Sequence, residues 1–184
     1  MLLKAKAVAI GGLFTALAVV CLILSGVINT SSMFFIVLAA FFIGTVMMVT
    51  NLVYGLSAGT ATFLLGLMFA PKKTYCFTFS VCTAYVLAEE YFLGKKRAGK
   101  SVNPVLECSV KAGAFIIPLA IEAAIECYLV GLDALLLPGI FSESGTALKI
   151  AACVVIAIVL VFLIDRAYIV YSRYAMRIVK RMVN

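Results

Sequence analysis

Six long apolar runs, separated by short polar breaks, make up most of the chain. The breaks are NTSS at 29–32, Thr50-Asn51, PKK at 71–73, GKKRAGKS at 94–101 and a Pro/Gly/Ser-containing stretch before 147. Runs of about 20 mostly apolar residues are long enough to cross a membrane as helices. The pattern predicts an all-α membrane protein, a bundle of six transmembrane helices over 7–28, 33–49, 52–69, 75–92, 105–130 and 147–164.

Composition supports a membrane protein. Hydrophobic residues make up 65% of the 184 residues and charged residues 12%, and the mean hydropathy is +1.20. Soluble domains are nearer half apolar and a quarter charged. We therefore expect 1–184 to form a single integral membrane domain. The net charge of +7 is spread over short clusters between apolar runs, which is typical of topology signals, so we expect no nucleic-acid partner.

The positions of Lys and Arg predict the orientation, because cytoplasmic loops of membrane proteins carry an excess of these residues. With six spans and a cytoplasmic N-terminus, three loop bases fall outside: Lys72, Lys73 and Lys149. The bases that fall inside are Lys4, Lys6, Lys95, Lys96, Arg97, Lys100, Arg166, Arg173, Arg177, Lys180 and Arg181. We expect a multi-pass protein of the cell membrane with both termini in the cytoplasm.

The segment 166–184 is expected to continue the sixth helix as a basic amphipathic tail. Arg166, Arg173, Arg177 and Lys180 fall on one face at helical spacing. Such a face suits binding to anionic lipid. A docking surface for a partner protein is the alternative.

The residue inventory restricts the chemistry. The chain has no histidine, and its six cysteines show no C-x-x-C spacing. Ser-His catalysis and His-ligated metal sites are therefore excluded, and cysteines within apolar runs act as small packing residues. We expect no catalytic residue, no metal and no cofactor.

Two acids lie in the fifth apolar run, IIPLAIEAAIEC at 116–127. Glu122 falls near the middle of the predicted span, and Glu126 lies about 6 Å nearer the outside on the same helix face. An acid at this depth costs roughly 2.5 to 3.5 kcal/mol, so it faces the bundle interior or a water-filled cavity. The pair either ties helices together by hydrogen bonds or forms the polar wall of a substrate cavity. Pro118, one turn earlier, is expected to kink the helix there.

Other candidate binding residues lie at the outer start of the fourth helix. Lys72 and Lys73 precede it, and Tyr75 and Tyr85 lie within it. Lysines at the mouth of a cavity would attract an anionic ligand. The alternative is that Lys72 and Lys73 only extend their ammonium groups to the membrane surface and bind no ligand.

Small residues and one charge pair indicate helix packing. Gly55, Gly59 and Gly66 share one side of the third helix, which indicates close packing within the chain. Glu107 and Lys111 have the i,i+4 spacing of a structural ion pair. In the first helix, Gly12 and Ala16 form a small-x-x-x-small step that would admit another helix at close range.

The first helix, KAVAIGGLFTALAVVCLILSGVI, resembles the opening helix of the substrate-binding S components of energy-coupling factor transporters. The resemblance implies six helices with both ends inside and a solute pocket in the outer half. It also implies that Gly12 and Ala16 dock on a transmembrane coupling subunit driven by two ATPases. Gly12 departs from the family's A-x-x-x-A step. The segment LGLMFAPKKTYCFTF is similar in position to the outer loop that closes the family's pocket.

The expected function is therefore a solute-binding subunit of an uptake transporter, without catalytic activity, that captures a small molecule in an outer-half pocket. Two alternatives remain open from the residues. One is a scaffold or assembly protein without a ligand. The other is a membrane enzyme acting on lipid head groups, for which Glu89, Glu90, Lys95 and Lys96 would be the polar cluster.

Overall fold

The computed structural model describes residues 2–99, 101, 103–130 and 146–183, and in these residues the chain is all-helical. The expected loop between the fifth and sixth helices, at 131–145, lies outside the described residues. A short 3₁₀ turn, Asn29–Ser31, joins the first two α-helices. The six described helices are α1 (Leu2–Val27), α2 (Ser32–Val49), α3 (Leu52–Phe69), α4 (Thr74–Arg97), α5 (Pro104–Val130) and α6 (Thr146–Val183).

The bounds of α2 and α3 lie within one residue of the apolar runs, because the polar pair Thr50-Asn51 ends one helix and begins the next. The fourth helix is longer than its apolar run, which ends at residue 92. It continues to Arg97 because its last turn carries Lys95, Lys96 and Arg97, and bases are favourable at a helix C-terminus. Gly99 follows with a positive φ of 72°, a conformation that favours glycine after a helix.

Four of the described helices are long and apolar enough to cross a membrane. They correspond to Val8–Val27, Ser32–Val49, Leu52–Phe69 and Pro104–Ile125. The chain is therefore a helical protein of membrane type. α4 differs from these four because Glu89, Glu90 and the basic last turn lie within it. α6 is one continuous helix of 38 residues that includes the basic tail.

The centre of the bundle is formed by α2 and α4, which pack against each other. α2 also contacts α1, α3 and α6, whereas α4 also contacts α1, α3 and α5. Ile36, Ile43, Phe79 and Val86 on these two helices are almost fully buried. Burial inside the bundle thus concentrates on α2 and α4, and α5 packs at the edge against α4.

Glycines let α3 approach its neighbours closely. A Cβ atom at Gly55 would lie 2.7 Å from the Met47 Cβ atom, and one at Gly66 would overlap the Leu22 side chain. Gly59 likewise faces Thr83 of α4 at close range. The predicted role of the three glycines in packing within the chain is confirmed.

The consecutive helices alternate in direction, so the bundle has two distinct ends. Gly26 meets Pro71 at one end, which we call the Lys72 end. Thr50, Asn51, Gly94 and Arg97 surround a common cavity at the other, which we call the Asn51 end. These two ends are the reference points for the site described below.

Candidate functional site

Side chains of α4 and α5 meet in pairs along the bundle. Thr78 contacts Glu122, Tyr85 contacts Phe115, and Glu89 contacts Lys111. The pairs share one antiparallel register, because each step of seven or four residues along α4 is matched by an equal step back along α5. We call this set of three pairs the α4–α5 seam.

The spacing of the α4 residues explains how one face supplies the whole seam. Thr78, Cys82, Tyr85 and Glu89 are separated by four, three and four residues, a spacing that keeps side chains on the face turned toward a neighbouring helix. Cys82, Tyr85 and Glu89 are each at most 5% exposed. Polar groups that would be costly in lipid are therefore turned toward protein.

Glu122 occupies the part of the seam nearer the Lys72 end. Its side chain is buried, and the Thr78 hydroxyl donates a hydrogen bond to its Oε1 atom. The neighbouring Ile121 is 55% exposed, so α5 turns its acid inward and its apolar residues outward. This contact ties α4 to α5, as expected for an acid that links helices.

A cluster of charges occupies the part of the seam nearer the Asn51 end. The Lys111 ammonium contacts a Glu89 carboxylate oxygen, lies 2.8 Å from Glu107 and 3.9 Å from Asp165. Lys96 lies 2.8 Å from Glu107. The predicted Glu107–Lys111 pair is thus confirmed, and the structure extends it to a cluster that spans α4, α5 and α6.

Tyr85 joins the two parts of the seam to α6. Its hydroxyl donates a hydrogen bond of 3.2 Å to Asp165 Oδ1, and its ring packs edge-on against Phe115 at a centroid distance of 6.1 Å. Asp165 is therefore shared between Tyr85 and Lys111. Three helices meet at this carboxylate.

Glu90 points away from the seam and forms a separate network. Arg97 forms an ion pair with Glu90 Oε1, and the Tyr168 hydroxyl donates a 2.8 Å hydrogen bond to Glu90 Oε2. Tyr168 is fully buried. Burial, and then the nearby Glu90 carboxylate, raise the pKa of the Tyr168 hydroxyl well above its ordinary value. Tyr168 therefore stays protonated and acts as the donor.

The adjacent acids Glu89 and Glu90 consequently have different partners, as expected from the angle of roughly 100° between neighbouring residues on a helix. Each carboxylate is bound by a base from a different position: Lys111 for Glu89 and Arg97 for Glu90. Within the described part of the chain, no group of three or more potential ligands is placed to hold a metal ion.

The predicted binding residues are distributed over two levels of α4 and the turn before it. Lys72 and Lys73 are exposed at the turn, and the Lys72 ammonium lies 5.4 Å from the centre of the Tyr75 ring. Tyr75 and Tyr85 are ten residues apart, or about 15 Å along the helix. The side chain of Glu126 lies outside the described part of the structure. Glu122 and Tyr85 share the seam, whereas Lys72, Lys73 and Tyr75 lie nearer its Lys72 end.

Two cavities of about 160 and 590 Å³ are bordered by described residues. The smaller lies between α3 and α4 and is mainly apolar, and the larger lies at the Asn51 end. Neither of these two is lined by Glu122, Tyr75, Tyr85 or the two lysines of the turn. An outer-half pocket formed with residues beyond 125 stays a prediction.

The residues predicted to dock on a partner lie on an exposed face of α1. Gly12 and Ala16 are both exposed, and a Cβ atom at Gly12 would have no heavy atom within 4 Å. Leu13 and Val20 on this helix are more than half exposed. Unlike the glycines of α3, this small-residue step is not used for packing among the described residues.

Sequence reasoning missed Asp165, Tyr168 and Phe115. Asp165 is the one acid in α6, and an isolated acid at the end of an apolar run is a signal that would have drawn attention to it. Tyr168 and Phe115 carry no comparable signal, since their roles depend on which helices are neighbours.

No family model matches this chain, and no curated protein or solved structure matches it significantly.

Proposed function

We propose that this chain is the solute-binding subunit of a membrane uptake transporter of the energy-coupling factor type. The observation that carries the proposal is the α4–α5 seam, in which acids, a lysine and a tyrosine face the bundle interior instead of lipid. Ionisable groups inside membrane bundles commonly mark the path or binding site of a solute or ion.

In this proposal all six helices cross the bilayer, with both termini in the cytoplasm of the cell. α4 tolerates its acids because Lys111 and Arg97 neutralise Glu89 and Glu90. The Asn51 end, where Lys95, Lys96 and Arg97 lie, is cytoplasmic, as expected from the excess of bases in cytoplasmic loops. The Lys72 end is then outside.

The solute enters between α4 and α5 from the Lys72 end. Glu122 and Thr78 offer a carboxylate and a hydroxyl, Tyr75 borders the entrance, and Glu126 follows Glu122 by one turn of α5. The Glu89–Lys111 contact lies 11 residues from Thr78 and Glu122, about 16 Å deeper along both helices. The ionic cluster thus closes the cytoplasmic end of the seam, so that a bound molecule remains in the outer half.

The exposed face of α1 supports the partner assignment. A helix surface with small residues allows another helix to approach closely, and Gly12 and Ala16 present such a surface to the outside of the bundle. The partners are a transmembrane coupling subunit and, through it, ATPases.

The solute-binding role is tested by mass spectrometry of small molecules that co-purify with the protein in lipid nanodiscs. The wild type is expected to carry a small molecule that Glu122→Gln and Glu126→Gln lose at least tenfold, with membrane abundance unchanged. Ser109→Ala is the control, because it removes a polar group of α5 at an exposed position outside the seam. Reduced abundance of the Glu122 and Glu126 variants, with no small molecule on the wild type, would instead support a ligand-free scaffold.

The partner role is tested by co-purification of other membrane subunits from the native membrane. Gly12→Leu and Ala16→Leu are expected to abolish recovery of a coupling subunit and its ATPases. Gly113→Leu provides the control, since Gly113 lies on α5 and an added Cβ would also have no heavy atom within 4 Å. Equal recovery of the partners with all three variants would contradict the assignment.

A further inference from the structure

A cavity of about 590 Å³ opens at the Asn51 end, between α2, α3, α4 and α6. This volume is within the usual range for small-molecule sites. Its apolar lining residues include Met47, Met48, Leu52 and Met176. Its polar lining residues include Thr50, Asn51, Glu90, Lys95 and Arg97, and the three charged ones all lie on α4. The cavity is thus lined by both apolar and charged groups.

The Arg97 side chain is fixed at this cavity by buried groups. The Glu90 carboxylate that pairs with Arg97 is 3% exposed, and Glu90 is itself fixed by the hydroxyl of the fully buried Tyr168. The Arg97 side chain remains 30% exposed. A guanidinium has five N–H donors, and its contact with Glu90 uses the Nη1 atom, so further donors are available to a ligand.

Lys95 provides a second cation. Its ammonium lies 4.3 Å from the centre of the Tyr91 ring, and both residues line the cavity. With Lys95 and Arg97 positive and Glu90 negative, the lining carries a net charge of +1. The charge balance therefore favours an anionic ligand.

The start of α3 borders the same cavity through Asn51 and Leu52. Asn51 is the N-cap residue of α3, in an extended conformation, and its side chain makes no capping hydrogen bond. The first backbone bond of this helix runs from the Gly55 N–H to the Asn51 carbonyl. The amides before Gly55 are among the four that a helix leaves without intrahelical acceptors, and they favour an anion.

We infer that this cavity binds the phosphate group of an amphiphilic anion. Arg97 and Lys95 border the cavity from α4 and Leu52 from the start of α3, and donors from two helices suit a phosphate with several acceptor oxygens. The methionines of the lining accommodate the attached carbon chain, because methionine adapts to irregular apolar groups. The same chemistry is presented by the headgroup of an acidic phospholipid and by a water-soluble phosphate ester. This site is separate from the α4–α5 seam and does not depend on the proposed transport function.

The test is native mass spectrometry of the full chain released from detergent micelles. Dioleoylphosphatidylglycerol and dioleoylphosphatidylcholine are added at equal concentration, with and without millimolar glycerol 3-phosphate. We expect the wild type to retain phosphatidylglycerol about tenfold more than phosphatidylcholine, because both carry the phosphate but the cationic choline group is disfavoured by a lining of charge +1. Displacement of the lipid by glycerol 3-phosphate, or binding of that ester instead of the lipid, would assign the site to a soluble ligand.

Three variants connect retention to the cavity. Gly94→Leu fills the space without changing the charge, and it should preserve folding because an added Cβ meets no atom within 4 Å and leucine favours helix over glycine. Lys95→Gln removes one cation. Both should reduce retention of the phosphate-bearing ligand about tenfold. Arg173→Gln removes an equal charge from an exposed position of α6 that does not line the cavity, and retention should be unchanged.

Three results would overturn the inference. The first is equal retention of phosphatidylglycerol and phosphatidylcholine by the wild type together with no binding of glycerol 3-phosphate. The second is retention by Gly94→Leu at the wild-type level. The third is a loss with Arg173→Gln as large as with Lys95→Gln, which would assign the lipid to the basic surface of α6.

Discussion

The α1–α3 and α4–α6 regions of the bundle are held together by different physical means. No charged residue occurs from 7 to 71, and α1–α3 pack through apolar side chains and glycines such as Gly55 and Gly66. In α4–α6, by contrast, the helices are joined by ion pairs and by hydrogen bonds to Glu90, Glu122 and Asp165. The first region depends on close fit of shapes, whereas the second depends on matched charges and donors.

The comparison also separates two roles for small residues. Gly66 is buried between α1 and α4, whereas Gly12 lies on an exposed face. The same residue type thus packs the bundle in α3 and leaves a surface open in α1. Substitutions that change side-chain size should therefore destabilise the first region most, and substitutions that remove a charge or a donor should destabilise the second region most.

Replacement of Lys111 with Met should have the largest effect on stability, because Lys111 is the common partner of Glu89, Glu107 and Asp165. Removing one partner of a buried ion pair typically costs about 3 to 5 kcal/mol. We expect strongly reduced membrane abundance and a lower thermal unfolding temperature in detergent. Lys96→Met is the control, since the Lys96 side chain is 50% exposed and pairs of this kind contribute about 0 to 1 kcal/mol. Similar decreases in unfolding temperature for both variants would show that Lys111 is no more important to the charge cluster than Lys96.

Replacement of Gly66 with Leu tests the packing of the first region. The added side chain would overlap Leu22 and approach Cys76, and overpacking of this kind typically costs about 1 to 3 kcal/mol. A lower unfolding temperature is expected, measured as for Lys111. Gly12→Leu should leave the unfolding temperature unchanged, because its site is open. If Gly66→Leu were tolerated as well as Gly12→Leu, close fit would not be what holds α3 in place.

Replacement of Tyr168 with Phe separates one donor from the rest of the charge network. The Glu90 carboxylate would lose the hydroxyl that now lies 2.8 Å away, while its pair with Arg97 remains. Loss of one partner of a buried acceptor costs about 1 to 3 kcal/mol. Tyr174→Phe removes a hydroxyl from a side chain that is 61% exposed and should have no effect on thermal unfolding. Equal unfolding temperatures of the two variants would show that the hydrogen bond from Tyr168 to Glu90 does not stabilise the packing of α6 against α4.

The smallest effect is expected for Tyr85→Phe. This change removes the 3.2 Å hydrogen bond to Asp165 but keeps the ring against Phe115. A hydrogen bond to a charged group typically contributes about 1.5 to 3 kcal/mol. The lower end of this range is expected here, because the bond is long, the Asp165 side chain is 27% exposed and Lys111 lies nearby. Thermal unfolding measures the loss, and Tyr54→Phe on the exposed face of α3 is the control. A loss larger than that of Tyr168→Phe would reverse the order of importance of the two α6 contacts.

The sequence predicted the features that depend on local spacing. The apolar runs indicated where α2 and α3 begin and end, and the i,i+4 spacing of Glu107 and Lys111 indicated their ion pair. The predicted fourth helix, 75–92, ends too early, because the apolar run stops before Gly94 whereas the helix continues to Arg97. Bases in a last helical turn produce the same pattern without ending the helix.

The sequence did not predict which helix faces meet. The contacts of Glu89 with Lys111 and of Tyr168 with Glu90 join residues more than 20 positions apart, and nothing in either segment specifies its partner. Glu122 was identified as a polar residue with a reason to be buried, but its contact with Thr78 depends on how α5 is aligned with α4. Such pairings follow from the arrangement of the whole bundle.

The common register of the three cross-helix pairs restricts how α5 moves. A slide of half a turn would separate Thr78 from Glu122, Tyr85 from Phe115 and Glu89 from Lys111 at the same time. A slide of one complete helical turn, about 5.4 Å, would not restore the pairing, because the residues one turn from Lys111 on α5 are Glu107 and Phe115. Glu89 would then meet a like charge or an apolar ring. The charge pairing therefore fixes a single register of α5 against α4.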